Sequence, residues 1–126
     1  MKNPKPSQLL QYGHGLFGSR EEITQEYLSS TANDNDWILF GTDWFGMSRF
    51  DVLKVADILL AVPENFALIP HNVLQGFINN IIAGRFIKEY LSDDENLKVN
   101  GNSLIDKESP IAYYGNSQGG ILGGKL

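Results

Sequence analysis

The residues with the clearest chemical potential are Gly115-Asn116-Ser117-Gln118-Gly119, followed by Gly120. They come after a short apolar run, residues 111–114, and before a glycine-rich stretch that reads as the start of a helix. A serine with glycine two positions before and two after it suits a strand-to-helix turn too sharp for side chains at those positions. In such a turn the serine backbone is strained and its hydroxyl stands above the sheet edge. The first amides of the following helix then aim at the place where an oxyanion would form. This is equipment for nucleophilic attack on an acyl carbon. The plainer alternative is a Gly/Ser turn joining two elements.

A second cluster lies near the other end. Gly13-His14-Gly15-Leu16-Phe17-Gly18 follows residues 7–12, a short strand candidate. Its glycines let the backbone pass close to a substrate carbonyl. If this first strand sits between the other two, the loop stands beside Ser117, and the amides of Leu16 and Gln118 meet at one oxygen. Losing one such donor typically costs about 3–4 kcal/mol of transition-state stabilisation. A third loop, 43–47 (Asp-Trp-Phe-Gly-Met), follows residues 36–42, whose unbroken apolar run suits a strand buried on both faces.

Helices must position these loops. Ser19-Arg-Glu-Glu22 has the spacing of a capping box and predicts a helix over about 20–29, with residues 31–35 a polar loop. Ser48 to Asp51 starts another helix, which runs to about Val62 and ends before Pro63. Residues 66–70 read as an irregular connection. A longer helix is expected over about 72–91. Its stripe Leu74, Phe77, Ile78, Ile81, Ile82, Phe86 and Tyr90 is expected to face the core, and Gly76 and Gly84 to weaken it. Residues 92–106 are polar and rich in turn formers. The alternation of strands and helices indicates parallel strands joined by right-handed crossovers. The expected fold is α/β: three layers, a parallel sheet with helices on both faces, strand order second-first-third. Ligands in such sheets bind at the carboxyl ends of the strands, where both glycine clusters fall.

The chain has 126 residues, 42% of them hydrophobic and 20% charged, as in a single globular domain. A net charge of −5 without any Lys/Arg cluster argues against nucleic acid as a partner. There is no cysteine, so disulfides and thiolate metal sites are excluded. No apolar run reaches the ~18 residues of a membrane span. Met1 leads into Lys and Pro without the apolar segment of a signal peptide. No His/Asp/Glu cluster has metal-ligand spacing, and no cofactor is expected.

Together the three loops resemble the α/β-hydrolase family, in its esterase/lipase-like branch. His14-Gly15-Leu16-Phe17-Gly18 is similar to the family's HG-x-x-G oxyanion loop, and Gly115 to Gly120 to its nucleophile elbow. Gly41-Thr-Asp-Trp-Phe-Gly-Met-Ser48 is similar to the aspartate–aromatic–glycine–serine loop between them. The resemblance covers about residues 8–124 and keeps the family's chain order. It implies that Ser117 is the acyl-accepting nucleophile and that Leu16 and Gln118 supply the oxyanion amides. His14 would brace its loop rather than act as base. Gly13, Gly15, Gly18, Gly115, Gly119 and Gly120 would support the two motifs. Phe17, Trp44 and Phe45 are candidates for an apolar substrate mouth, or equally for packing. The implied partner is a small-molecule ester.

The family's chain order is Ser, then Asp or Glu, then His. Residues 118–126 contain neither acid nor histidine. A serine hydroxyl needs a base. His71, the only other histidine, precedes Ser117 and would demand an inverted triad with Asp43. Asp43, Asp51 and Asp57 are better explained as loop, cap and helix-surface carboxylates. The family also places two further strands before the first one here. The expectation is therefore one incomplete domain over residues 1–126, inactive by itself and an esterase when complete. The alternatives are a non-catalytic binding module of the same fold, or an unrelated domain holding phosphate at a helix N-terminus. The last is weakened because no Walker lysine follows Gly119-Gly120.

Overall fold

A computed structural model describes residues 5–126. The expectation drawn from Met1, Lys2 and Pro4 about a leader segment lies outside the described residues. The organising strand is β1, Gln8–Gly13, whose side chains are buried almost throughout. It is the middle of a three-stranded parallel sheet, between β2 (Trp37–Gly41) and the last strand, β5 (Ala112–Gly115). The strand order is second-first-third among the three expected strands. Register runs from Gln8↔Trp37 to Tyr12↔Gly41 on one side, and from Leu10↔Ala112 to Gly13↔Gly115 on the other.

Successive side chains of a strand point to opposite faces. Leu9 and Gln11 face α3, Leu68–Glu89: Leu9 packs in a cluster with Phe40, Ile105 and Ile87, and Gln11 hydrogen-bonds Asn80. Leu10 and Tyr12 face the other side, where α1 (Glu26–Asp34) buries Leu28 and Ala32. Helices thus cover both faces. α2, Val52–Leu60, packs Val55 and Ile58 against Ile69 at the start of α3. A short hairpin, β3 (Lys98–Val99) and β4 (Asn102–Ser103), follows α3. The chain then passes Ile105, which bridges to Ser7, and after β5 enters α4, Gln118–Gly123.

Several local expectations are corrected. Ser19 and Glu22 do form a reciprocal capping box, but on a single 3-10 turn, Arg20–Thr24. Gln25 is extended, so α1 starts later and absorbs most of the expected loop 31–35. Likewise α3 begins at Leu68, inside the expected connection, with Pro70 in the first turn, where its missing N–H costs nothing. β2 is half-buried, with only Phe40 fully enclosed, because β1 rather than β2 holds the middle of the sheet.

The largest correction concerns α3. Leu74, Ile78, Ile81, Ile82, Phe86 and Tyr90 are exposed, and of the expected stripe only Phe77 turns inward, onto Trp44. The packed face is Gly76, Asn80 and Gly84, one residue every four. A Cβ on Gly76 would lie 2.8 Å from the Phe45 carbonyl oxygen, and one on Gly84 3.1 Å from the Ile111 side chain. Gly76 lets the helix backbone approach the loop after β2 and Gly84 lets it approach the sheet, so neither is a flaw in the helix. Asn80 is fully buried between them. It accepts from Gln11 Nε2 at 3.0 Å and from Thr42 Oγ1 at 2.7 Å, and donates to the Gly76 carbonyl at 2.9 Å. It ties β1, β2 and α3 together just below the carboxyl end of the sheet.

Candidate active site

The two glycine clusters meet. Gly13 and Gly115, the last residues of β1 and β5, are register partners, so both loops leave the sheet side by side. The Asn116 amide donates to the Gly13 carbonyl at 3.0 Å. A Cβ placed on Gly119 would overlap that carbonyl, and one on Gly15 would lie 3.5 Å from the Ser117 Cβ. At Gly119 the close approach of the two backbones requires glycine, whereas the contact at Gly15 is an ordinary one. Gly13 is hemmed in by the Tyr113 hydroxyl, Gly18 by the Glu22 carboxylate, and Gly115 and Gly120 by each other's turn.

Ser117 sits between β5 and α4 with φ 50° and ψ −117°. A non-glycine residue with this backbone stores roughly 1–3 kcal/mol of strain. Its side chain is exposed and caps nothing in α4. No acceptor for the Leu16 or Gln118 amide occurs among the described residues, whereas the next amide, Phe17, donates to Met47 O at 2.9 Å. The arrangement is an uncommitted hydroxyl on a strained turn, with two uncommitted amides on the adjoining loop and helix.

His14 is fully buried and its ring is doubly engaged. Nε2 accepts from the Trp44 amide at 2.8 Å, and Nδ1 donates to the Gly15 carbonyl at 2.7 Å. The proton therefore sits on Nδ1. Both nitrogens hold loops, leaving neither to serve Ser117. Asp43 is also engaged: Oδ1 accepts from the Arg20 amide at 2.8 Å and Oδ2 pairs with Arg20 Nη1 at 3.0 Å. His71 is exposed in the first turn of α3, and Asp57 is exposed on α2. Asp51 is buried and its Oδ2 accepts from the Gly46 and Ser48 amides and the Ser48 hydroxyl, fixing the third loop.

The three aromatic candidates separate. Trp44 has no exposed surface; its ring packs on Phe77 with centroids 5.5 Å apart, so it cannot line a mouth. Phe45 is exposed. Phe17 is half-buried, held at φ 56° against the cluster of Val55, Ile58 and Ile69.

Tyr113 had no assigned role from the sequence. Its hydroxyl donates to the Gly119 carbonyl at 2.7 Å, beneath the turn. Burial pushes that hydroxyl up to about 12, with the neighbouring Trp44 indole working the other way. Asn80 was likewise missed, although a polar residue midway between Gly76 and Gly84 marks the helix face that later proves to be the packed one. Among the described residues no group of three or more His, Cys, Asp or Glu is placed to hold a metal ion. No helix among them is long and apolar enough to cross a membrane.

No family model matches this chain, and no curated protein or solved structure does so either.

Proposed function

We propose that this chain carries the nucleophile and oxyanion-binding half of a serine hydrolase of the α/β-hydrolase type, acting on carboxylic esters. One observation carries the reading: Ser117 is held at φ 50° on a strand-to-helix turn, with Gly119 of that turn packed against the Gly13 carbonyl of the neighbouring loop. Strain of this kind persists only where surrounding structure over-determines it, and a plain Gly/Ser turn has no use for it. The free amides of Leu16 and Gln118 add the electrostatic half of the argument.

In the proposed reaction Ser117 Oγ bonds to the ester carbonyl carbon. Its proton passes through a base to the departing alkoxide, which leaves as the alcohol. Water then attacks the acyl-enzyme and releases the carboxylic acid and the free serine. The Leu16 and Gln118 amides stabilise the oxyanion in both steps. Gly13, Gly15, Gly18, Gly115, Gly119 and Gly120 allow the two loops to meet, and His14 braces the first of them. No base for Ser117 is found among the described residues, since His14 is committed and His71 lies exposed on α3. Without an acid and a histidine in reach of Ser117, these residues by themselves give no more than residual oxyanion-hole catalysis, ~10³–10⁴ over water.

The missing base favours one second reading, a non-catalytic module of the same architecture. An ethyl fluorophosphonate probe separates the two. The hydrolase reading expects covalent labelling of the full-length protein at Ser117, lost in Ser117→Ala, and an unlabelled Ser117 rejects it.

A further inference from the structure

We infer that Tyr113 is a positioning residue for the oxyanion amide of Gln118, on which it acts through a relay of hydrogen-bonded peptide groups; the inference rests on the hydrolase reading of Ser117. The Tyr113 hydroxyl donates to the Gly119 carbonyl at 2.7 Å. That carbonyl belongs to the same peptide group as the Gly120 N–H, which donates to the Ser117 carbonyl at 3.0 Å. The Ser117 carbonyl belongs to the same group as the Gln118 N–H, the proposed oxyanion donor. These peptides are planar and trans, so each accepts on one side and donates on the other. Hydrogen bonds in such a chain polarise one another, and each bond made upstream strengthens the next N–H as a donor. A carbonyl can only accept, so the tyrosine proton stands at the head of the relay.

The Leu16 amide ends a shorter relay of the same kind. His14 Nδ1 donates at 2.7 Å to the Gly15 carbonyl, whose peptide group carries the Leu16 N–H. Each proposed oxyanion donor is therefore backed by a donor on an aromatic ring, His14 behind one and Tyr113 behind the other. The Ile121 amide also donates to the Ser117 carbonyl, at 3.2 Å, so two bonds hold the peptide plane that aims the Gln118 N–H. Space beneath α4 is kept for the tyrosine. A Cβ on Gly123 would overlap the Tyr113 ring, and one on Gly13 would overlap its hydroxyl.

The test is saturation labelling of the full-length protein by ethyl fluorophosphonate, in which Ser117 Oγ bonds to phosphorus, fluoride leaves and the base takes the proton. The phosphoryl oxygen stands where the oxyanion would form. Losing a whole oxyanion donor slows such a step ~10²–10³-fold, and cooperative loss is ~10–30% of a bond. Tyr113→Phe should therefore slow the covalent step by about two- to eightfold and leave probe binding unchanged. Tyr113→3-fluorotyrosine keeps the ring and makes its hydroxyl a stronger donor, so the covalent step should rise, by up to about twofold. Burial pushes the native hydroxyl up to about 12, so the fluorinated one stays protonated at neutral pH. A Phe variant as fast as the parent overturns the relay and leaves the hydrolase reading standing. So does a fluorotyrosine variant no faster than the parent, because a packing role alone is blind to donor strength; this variant decides the matter if the Phe variant fails to fold. An unlabelled Ser117 in the parent rejects the hydrolase reading, and this inference with it.

Discussion

The Trp44 amide donates to Nε2 of His14 at 2.8 Å, across thirty residues of sequence and in a site closed to solvent. Through this bond the loop after β2 holds the loop after β1. The indole of the same tryptophan lies near Gly13 and the Tyr113 hydroxyl, and that hydroxyl bonds the Gly119 carbonyl under the serine turn. All three loops at the carboxyl end of the sheet are thus fixed to one another.

Removing the imidazole should therefore be costly. His14→Ala leaves the buried Trp44 amide without an acceptor and opens a cavity, together worth about 2–4 kcal/mol. Urea unfolding followed by tryptophan fluorescence measures it. A loss below about 0.5 kcal/mol would show that the loops do not depend on this bond.

The strain at Ser117 has an energetic signature. Ser117→Gly should raise stability by about 1 kcal/mol, because glycine takes φ 50° without penalty. Ser117→Ala keeps the Cβ and should leave stability nearly unchanged, though it too removes the nucleophilic oxygen. Equal melting temperatures for the two variants would mean the turn is unstrained.

Two glycines of the last helical segment should respond in opposite directions. Gly119→Ala forces a Cβ into the Gly13 carbonyl, a backbone atom that cannot yield, and should cost about 1–3 kcal/mol. Gly124 has an ordinary helical φ of −63° and no neighbour nearer than 3.6 Å to its would-be Cβ. Gly124→Ala should gain about 0.4–1 kcal/mol by restricting the unfolded chain. Denaturant midpoints of the two variants decide the matter, and the same sign of change in both would contradict the packing described.

Tyr113 predicts a pH dependence. Its hydroxyl is raised from 10.0 to about 12 in the folded chain, chiefly by burial. A raised value means the neutral form is favoured by folding. The contribution is fully present below pH ~10 and is lost as pH climbs from there towards the folded value. Tyr12 is shifted in the same direction, by burial and then by its bond to Glu22. Stability should fall from about pH 10 upward, and Tyr113→Phe should flatten part of that slope while Tyr12 keeps the remainder. An unaltered alkaline slope in Tyr113→Phe would contradict this origin.

Much was legible in the chain because backbone sterics are local. The spacing Gly115-x-Ser117-x-Gly119 implies a turn with no room for side chains, and the turn is there. The capping boxes at Ser19 and Ser48 were readable for the same reason, since each is closed within three residues. The parallel pairing followed from strands separated by helical segments, and the central place of the first strand from the need to bring two glycine loops together.

Packing was not legible in the same way. In α3 the periodicity located a helix correctly and its buried face wrongly. Apolar spacing shows that a helix has a greasy side, but the distance between helix and sheet decides which side goes in. Here Gly76 meets the Phe45 backbone of the loop after β2 and Gly84 meets the Gln11 and Phe40 side chains of the sheet, with Asn80 satisfied between them by Gln11 and Thr42. Trp44 shows the same limit, since no local pattern tells a tryptophan that lines a mouth from one sealed beneath it. The sequence by itself determined where the backbone must bend and which residues could do chemistry at the bends, because those are short-range steric facts. Tertiary structure alone decided which side chains close the space behind the bends, because that depends on how near two distant segments come to each other.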